Sequence, residues 1–376
     1  MTLPSLDSSA SPIRVLIVDD SILIQTILKS MLADRPDIQV AGVATNGQEA
    51  IRQTVRLRPN VITMDIRMPQ MDGLESIRHI LRVQPTPIIV VASSIYAADY
   101  NIAFNALEAG ALAVIEKPHG LDASDYEAAR DQLITTIKAM AGVKVIARRD
   151  VSAIASRIGQ MTAMLHSFVV RPFHIVAIGA STGGPAVIKQ ILGALPANFA
   201  APIAVVQHVL PPFVAGLAEW LSTNGRLPVT VAQEGESLLS GHVYLAPGHC
   251  HMTVQPGNVI RLEKTEPVKG QRPSATRLFE SVARTYHADA VGIILTGMGD
   301  DGVDGLVNLS QAGAHVIAQD RYSSVVFGMP AAAIERNIVD EVLSPDAIAI
   351  RLTKLHTHLR QLAQRSKAAP DQPARS

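Results

Sequence analysis

The residues best suited to chemistry lie in one short stretch, Ile175 to Pro185, with the sequence I-V-A-I-G-A-S-T-G-G-P. An apolar run that stops at glycines is typical of a buried strand that enters a tight turn. Pro185 and the apolar spacing after it predict the first turn of a helix. Ser181 is therefore predicted on a strand-to-helix turn, where its hydroxyl could act as a nucleophile or the backbone N–H groups could hold an anion.

This turn fits one known catalytic pattern and fails two others. The segment Gly179-Ala-Ser181-Thr-Gly183 matches the Gly-x-Ser-x-Gly pattern of serine hydrolases. The dinucleotide pattern Gly-x-Gly-x-x-Gly and the phosphate-loop pattern that ends in Gly-Lys-Ser/Thr are both absent from it. A structural glycine turn with an incidental serine is the alternative, so the catalytic hypothesis depends on partners for Ser181.

A nucleophilic serine requires an imidazole that takes its proton and a carboxylate that orients the imidazole. His208 directly follows the predicted strand Ile203–Gln207 and precedes a Pro-Pro pair that ends it. The carboxyl ends of parallel strands share one edge of a sheet, so His208 is expected beside Ser181. The alternative is a histidine with a purely structural role.

The acid is expected at the same edge. The predicted strand Ala290–Leu295 runs into T-G-M-G-D-D-G, which places Asp300 and Asp301 at its carboxyl end, and Asp320 follows a further strand. The glycines around Met298 would let its backbone N–H point into the site. That N–H and the N–H of Thr182 could together form an oxyanion hole.

A second group of charged residues lies in the N-terminal half. Asp19 and Asp20 follow the predicted strand Arg14–Val18, and Asp65 follows Asn60–Met64. Clustered carboxylates suit Mg²⁺, which binds a few carboxylates together with water and phosphate oxygens. Lys117 follows the fifth predicted strand and could pair with an anion at the same edge. Charged residues that merely cap loop tips are the alternative.

The elements that would position these residues alternate between strand and helix in both halves. This alternation predicts the α/β class, with two doubly wound domains. We expect a five-stranded parallel sheet in the N-terminal domain. The C-terminal domain is expected to have a mainly parallel sheet and a β-hairpin at Pro256-Gly257-Asn258.

Length and composition agree with two domains. The 376 residues are divided into a first domain at 12–142, a linker at 143–171, a second domain at 172–350 and a polar tail at 351–376. The 33 basic and 33 acidic residues balance, which argues against nucleic acid as a partner. The single cysteine, Cys250, excludes an intrachain disulfide. Because no apolar run is long enough for a bilayer, we expect no membrane insertion and a cytoplasmic protein.

The N-terminal half resembles the receiver domain of two-component response regulators. The resemblance is carried by Asp19-Asp20, by the segment M-D-I-R-M-P-Q-M-D-G at 64–73 and by Lys117-Pro118. It implies a flavodoxin-like fold and phosphorylation of Asp65 by a histidine kinase. It further implies Mg²⁺ bound by Asp19, Asp20 and Asp65, and phosphoryl oxygens bound by Lys117.

One receiver position departs from this pattern. Receivers carry Thr or Ser at the end of the fourth strand, and counting from Pro87 places Ala92 there, with Ser93 one residue later. If Ala92 holds the position, the hydroxyl that binds the phosphoryl group must come from Ser93.

The C-terminal half resembles the catalytic domain of chemotaxis protein-glutamate methylesterases. The matching motifs are G-A-S-T-G-G-P at 179–185, Q-H at 207–208, V-Y-L-A-P-G at 243–248, R-P-S at 272–274, L-T-G-M-G-D-D-G at 295–302 and Q-D-R-Y-S-S-V-V-F-G-M-P at 319–330. The resemblance implies Ser181 as nucleophile, His208 as base and Asp301 as the orienting acid. It implies hydrolysis of glutamate γ-methyl esters on methyl-accepting chemotaxis receptors, with release of methanol, and deamidation of receptor glutamines. It also implies activation by phosphorylation, and esterase chemistry without a cofactor.

Three hypotheses follow from the sequence. The first is a phosphorylation-activated methylesterase. The second is a serine hydrolase of small esters or amides on the same domain. The third is a non-enzymatic response regulator that binds a partner or nucleotide at Gly179–Pro185.

Overall fold

The computed structural model describes residues 11–92, 104–118, 123–143, 145, 173–223 and 225–368. The chain divides into two compact units, Met1–Asp150 and Val151–Ser376. Ser93, nearly all of the predicted linker 143–171 and the last eight residues lie outside the described residues. Within the described ranges, no helix combines the length and apolar character that a membrane span requires.

The first unit is a five-stranded parallel sheet, as predicted, and its strand order is β2-β1-β3-β4-β5. Residues 104–109 are helical in addition to the helices named next. The elements in chain order are β1 (Ile13–Val18), α1 (Ile22–Ala33), β2 (Ile38–Ala44), α2 (Gly47–Leu57), β3 (Val61–Met64), α3 (Gly73–Val83), β4 (Ile88–Ala92), β5 (Ala113–Glu116) and α4 (Ala123–Ala141).

The register of this sheet brings its acidic residues together. Val18, the last residue of β1, pairs with Met64, the last residue of β3. Asp19 and Asp65 therefore leave adjacent strands at the same level of the sheet. Both strands are buried along their length near this edge, because apolar side chains occupy both faces.

The second unit contains a seven-stranded parallel sheet with the order β14-β13-β12-β6-β7-β9-β8, and a separate antiparallel hairpin, β10-β11. Its strands are β6 (Ile175–Ala180), β7 (Ile203–Gln207), β8 (Val229–Val231), β9 (Val243–Leu245), β10 (His251–Gln255), β11 (Val259–Glu263), β12 (Ala290–Ile294), β13 (His315–Gln319) and β14 (Glu341–Leu343). Its α-helices are α5 (Gly184–Ala194), α6 (Val214–Ser222), α7 (Ala275–Tyr286), α8 (Val303–Gln311), α9 (Met329–Glu335) and α10 (Pro345–Ala368), and Pro211–Phe213 forms a 3₁₀ turn.

The three central strands of this sheet end at one level. Ala180 of β6 pairs with Gln207 of β7, and Gly179 pairs with Ile294 of β12. The residues that follow these strands therefore meet at one edge, as the sequence pattern predicts. The predicted hairpin is also present, and its turn residues Gly257 and Asn258 have the positive φ values that such turns require.

The end of the second unit differs from the predicted boundary at residue 350. Helix α10 begins at Pro345 and continues to Ala368, so most of the predicted polar tail is helical. Leu352, Leu355 and His356 are buried, and His356 accepts a hydrogen bond from the backbone N–H of Ala200. Ile348, Leu352 and Leu355 are buried at helical spacing among polar residues, and this apolar stripe was not recognised when the segment was predicted to be a polar tail.

We predict that Leu352→Ala lowers the free energy of unfolding of the second unit by about 2–4 kcal/mol, because it removes a fully buried side chain from the side of α10 that packs against the rest of the unit. The control is Ile350→Ala, since Ile350 is 56% exposed on the same helix. Urea unfolding followed by the fluorescence of Trp220, the single tryptophan of the chain, reports on this unit alone. Equal effects of the two substitutions would contradict the packing described here.

Candidate functional site

Ser181 lies directly after β6, on the turn that leads into α5. Its backbone N–H donates to the carbonyl of Thr296, and its own carbonyl accepts from the N–H of Gly184. Gly183 has a φ of 81° and precedes the first residue of the helix. The left-handed conformation of this turn thus falls on a glycine, and Ser181 itself has no positive φ.

The neighbouring strand end approaches Ser181 at a glycine. A Cβ atom on Gly297 would lie 2.7 Å from Cβ of Ser181 and would also collide with Sδ of Met329. Only glycine therefore allows the segment after β12 to pass this close to the serine. The segment is held there because the N–H of Gly297 donates to Val326, and its carbonyl accepts from Gly328 and Met329.

His208 and Asp301 form a largely buried pair at the same edge. Nε2 of His208 lies 2.9 Å from Oδ2 of Asp301, and the side chain of Asp301 is 2% exposed. An ionised carboxylate only accepts hydrogen bonds, so Nε2 carries the hydrogen and Nδ1 remains the basic nitrogen of the neutral ring. The backbone N–H of His208 donates to Ala180, which ties the histidine to the strand that precedes Ser181.

Four further donors surround the carboxylate of Asp301. Its Oδ1 accepts from the hydroxyls of Ser274 and Thr276 and from the Thr276 N–H, and its Oδ2 accepts from the N–H of Ala275. Burial alone would raise the pKa of Asp301, but the hydrogen bond and charge of His208, with the bonds from Ser274 and Ala275, lower it to about 2. Asp301 is therefore ionised wherever His208 could act as a base.

A second layer holds Ser274 in place. The buried ring of His251 accepts at Nδ1 from the N–H of Ser274, at 3.2 Å, and its Nε2 lies 3.0 Å from the carbonyl of Glu266. This pattern corresponds to a neutral imidazole with its hydrogen on Nε2. His251 thus positions the residue that binds Asp301, although the sequence places it in the hairpin and away from Ser181.

The structure separates Asp301 from the two other candidate acids. Asp300 points to Lys269, whose Nζ lies 2.7 Å from Oδ2 of Asp300. Asp320 accepts from the N–H of Ser323 within its own turn. Among the three aspartates, Asp301 is the one that contacts His208.

Two backbone N–H groups border the serine. Within the described residues, no acceptor takes the N–H of Thr182 or that of Met298. Thr182 lies on the turn after Ser181, and Met298 follows the glycine that contacts Ser181. These are the two donors that the sequence suggests for an oxyanion hole.

The first unit has its own charged site at the edge of its sheet. Nζ of Lys117 lies 2.9 Å from Oδ2 of Asp19 and 2.8 Å from Oδ2 of Asp65. Asp19 and Asp65 are buried, whereas Asp20 is exposed, and ligand oxygens of the three lie within 4.8 Å of one another. The structure thus brings together four of the five residues predicted for this site, and the fifth, Ser93, lies outside the described residues.

The charge balance of this site favours a cation. Burial raises the pKa of Asp65, and the charge of Asp19 adds to this, while Lys117 opposes both. Burial acts against the charged form of Lys117, but its bonds to the carboxylates outweigh this and raise the pKa of Lys117. A cluster of three carboxylates with one amine has an excess of negative charge, and hard oxygen ligands of this kind fit Mg²⁺.

Ala92 is the last residue of β4 and pairs with Glu116 of β5. Its carbonyl accepts from the N–H of Lys117, at 2.7 Å, so the end of β4 lies beside the charged site. Because Ser93 lies outside the described residues, its predicted contact with a phosphoryl group stays a prediction.

Comparison with known proteins agrees with this division. The family model "CheB methylesterase" matches residues 176–352, and the model "Response regulator receiver domain" matches residues 15–125. A "Protein-glutamate methylesterase/protein-glutamine glutaminase 1" from Syntrophus aciditrophicus is 45% identical over 91% of this chain and 98% of its own length. The chain belongs to the CheB methylesterase family.

Two further relatives are similar to this chain, one along most of its length and one along about half of it. A "Protein-glutamate methylesterase/protein-glutamine glutaminase 4" from Myxococcus xanthus is 45% identical over 91% of this chain and 96% of its own. The crystal structure of the CheB methylesterase catalytic domain of Thermotoga maritima is 39% identical and covers 49% of this chain and 100% of its own, with a TM-score of 0.47.

The roles of several residues of this site could not be predicted from single sequence motifs. Ser274 belongs to the R-P-S motif, but nothing in the motif says that its hydroxyl faces Asp301. His251, Thr276 and Gln207 likewise become part of the site only through the fold. The sequence feature that could have indicated such residues is a polar residue directly before α7, Ser274, and another at the end of β7, Gln207.

We predict that Asp301→Asn lowers the free energy of unfolding of the second unit at neutral pH by roughly 2 kcal/mol, since the carboxylate has a depressed pKa. A group whose pKa is lower in the folded state contributes stability above its unfolded pKa and loses it as the pH falls. The difference between the two proteins should therefore be constant above about pH 5 and shrink between about pH 4 and pH 2.

Urea unfolding followed by Trp220 fluorescence at several pH values measures this difference. Asp300→Asn is the control, because it removes an exposed carboxylate paired to Lys269 and should give a much smaller change. A difference between wild type and Asp301→Asn that stays constant down to about pH 2 would show that this carboxylate is not specifically stabilised.

Proposed function

We propose that this chain is a phosphorylation-activated serine esterase that hydrolyses glutamate γ-methyl esters on methyl-accepting chemotaxis receptors and deamidates receptor glutamines. Its relatives carry both activities in their names. The observation that supports the mechanism most directly is the largely buried His208–Asp301 pair at the sheet edge that also bears Ser181. A purely structural glycine turn would not require a histidine oriented by an ionised carboxylate.

Each residue has a defined role in the proposed reaction. Nδ1 of His208 takes the hydroxyl proton while Oγ of Ser181 attacks the ester carbonyl carbon. Asp301 holds the ring through Nε2 and stabilises the imidazolium that forms. The N–H groups of Thr182 and Met298 stabilise the negative oxygen of the tetrahedral intermediate, since neither donates elsewhere within the described residues.

The intermediate collapses with the loss of methanol, which receives the proton from His208 and leaves an acyl ester on Ser181. A water molecule then attacks this ester and gives a proton to Nδ1, which passes it to the departing Oγ of Ser181, so that the glutamate carboxylate and the free serine result. For a glutamine side chain the same steps release ammonia in place of methanol. No step needs a group beyond those of the protein and water.

The first unit controls this activity in our proposal. A carboxylate oxygen of Asp65 accepts the phosphoryl group from the phosphohistidine of a histidine kinase, and Lys117 pairs with the phosphoryl oxygens. Asp19, Asp20 and Asp65 would hold Mg²⁺, and a bound ion would supply positive charge to offset that of the carboxylates and the phosphoryl oxygens. The excess of carboxylate over amine at this site supports the assignment.

We expect Ser181→Ala to reduce methanol release from methylated receptor membranes by at least about 10³-fold, because the substitution removes the nucleophile. The matched control is Ser240→Ala, an exposed serine of the same unit. Release of radiolabelled methanol gives the rate. Unchanged release by Ser181→Ala would mean that catalysis is not serine-based, and hydrolysis of free small esters but not of receptor esters would favour a different hydrolase.

For control by phosphorylation, we predict that Asp65→Asn abolishes the stimulation of methanol release by acetyl phosphate and leaves unstimulated release in place. Asp72→Asn is the control, since Asp72 is exposed and caps α3 through Oδ1, a bond that asparagine can also form. If stimulation by acetyl phosphate persists in Asp65→Asn, another residue accepts the phosphoryl group.

A further inference from the structure

Gln207 connects the backbone of Ser181 to that of His208. It is the last residue of β7, is 4% exposed and directly precedes the histidine. Its Nε2 donates to the carbonyl of Ser181 at 2.8 Å and to the carbonyl of His208 at 3.0 Å. The two hydrogens of one side-chain amide thus hold the main chain of both residues.

The bond to Ser181 also fixes the direction of the neighbouring N–H. The carbonyl of Ser181 and the N–H of Thr182 belong to one planar peptide, which is trans, so they point in opposite directions. The bond that holds the Ser181 carbonyl in place therefore also fixes the direction of the Thr182 N–H. That donor is the Thr182 N–H, which takes no acceptor within the described residues.

The second proposed oxyanion donor is aimed in the same way. The N–H of Met298 shares a peptide with the carbonyl of Gly297. This carbonyl oxygen accepts from the N–H groups of Gly328, at 3.1 Å, and Met329, at 2.9 Å. The carbonyl of Ser181 also accepts two bonds, from Gly184 and Gln207. Gly184 lies on the same turn as Ser181, so Gln207 is the donor that ties this carbonyl to the neighbouring strand.

The packing of Gln207 supports a specific role. Its Oε1 is buried and has no hydrogen-bond partner within the described residues, an arrangement that costs stability. A Cβ atom on Gly184 would collide with this Oε1. The glutamine is therefore fitted closely against the turn although an apolar side chain would avoid an unpaired acceptor.

We propose that Gln207 is a positioning residue of the esterase, which aims the Thr182 N–H at the developing oxyanion and fixes the main chain of His208. The inference rests on the proposed serine mechanism and goes beyond it by assigning the residue that assembles the oxyanion site. Gln207 itself does not touch the substrate in this role.

The first test is Gln207→Met, which keeps the length of the side chain and removes both donors. On methylated receptor membranes with acetyl phosphate, kcat should fall about 10- to 100-fold with KM unchanged, because the oxyanion exists only in the transition state. The ratio of variant to wild-type kcat should not change with pH, since the His208–Asp301 pair is left intact.

A second variant, Gln207→Glu, gives a signature that a general loss of packing would not produce. A protonated carboxyl group can donate to one of the two carbonyls, whereas an ionised one repels both. The ratio of its kcat to that of wild type should therefore fall as the pH rises between about 5 and 8. A ratio independent of pH for Gln207→Glu would count against the proposed donor role.

Ser281→Ala serves as the control for lost stability, because it removes buried hydrogen bonds to Val254 and Leu278 without touching the site. Its kcat should remain at the wild-type value even if its thermal midpoint falls. The proposal is overturned if Gln207→Met keeps wild-type kcat, if only its KM changes, or if its loss equals the unfolded fraction measured at the assay temperature.

Labelling of Ser181 by a fluorophosphonate separates this proposal from the proposed function, because the phosphonyl oxygen uses the same two N–H groups and no receptor is needed. The labelling rate of Gln207→Met should fall in parallel with kcat. If wild type is labelled but releases no methanol from receptors, the substrate assignment fails and the labelling rates alone decide the role of Gln207. Equal labelling rates would then overturn it.

Discussion

The esterase site depends on one buried negative charge, the carboxylate of Asp301. Burial disfavours such a charge, and five hydrogen bonds from His208, Ser274, Ala275 and Thr276 compensate for it. These donors come from two segments, the end of β7 and the start of α7, and the carboxylate fastens both to the segment after β12. The bond from His208 to Asp301 joins residues 93 positions apart. The contact that orients the imidazole therefore also helps to hold distant parts of the chain together.

In each unit a buried aspartate lies at the carboxyl-end edge of that unit's own sheet, but the two aspartates have opposite electrostatic surroundings. Around Asp301 the donors are in excess, and the pKa of the carboxyl is lowered. Around Asp65 the carboxylates exceed the single amine of Lys117, and burial raises the pKa of Asp65. The first arrangement keeps a charge permanently in place beside an imidazole. The second leaves negative charge unbalanced, which suits a site that takes up a cation and changes its own charge state by phosphorylation.

The topology of parallel sheets explains how much the sequence could predict. Ser181, His208 and Asp65 directly follow buried strands, and Lys117 directly follows the partly buried β5. Their positions at the edges of the two sheets could therefore be inferred from the strand pattern. The choice of Asp301 over Asp300 could not, because it depends on which carboxylate turns toward the donors before α7. The contacts of Gln207 and His251 were equally hidden, since they connect backbone atoms that no residue pattern records. Helix α10 was missed because a few buried side chains, such as Leu352, lie among polar residues.

Gly297 passes so close to Ser181 that a single added carbon would collide with it. Every codon change that alters a glycine adds at least that carbon, so this position offers no gradual mutational route. A lineage that acquires a different substrate would instead have to vary exposed side chains near the serine, for example that of Met298, which is 41% exposed. Gly297 is thus a position near the serine that does not tolerate a side chain, whereas exposed side chains such as that of Met298 are positions that can vary.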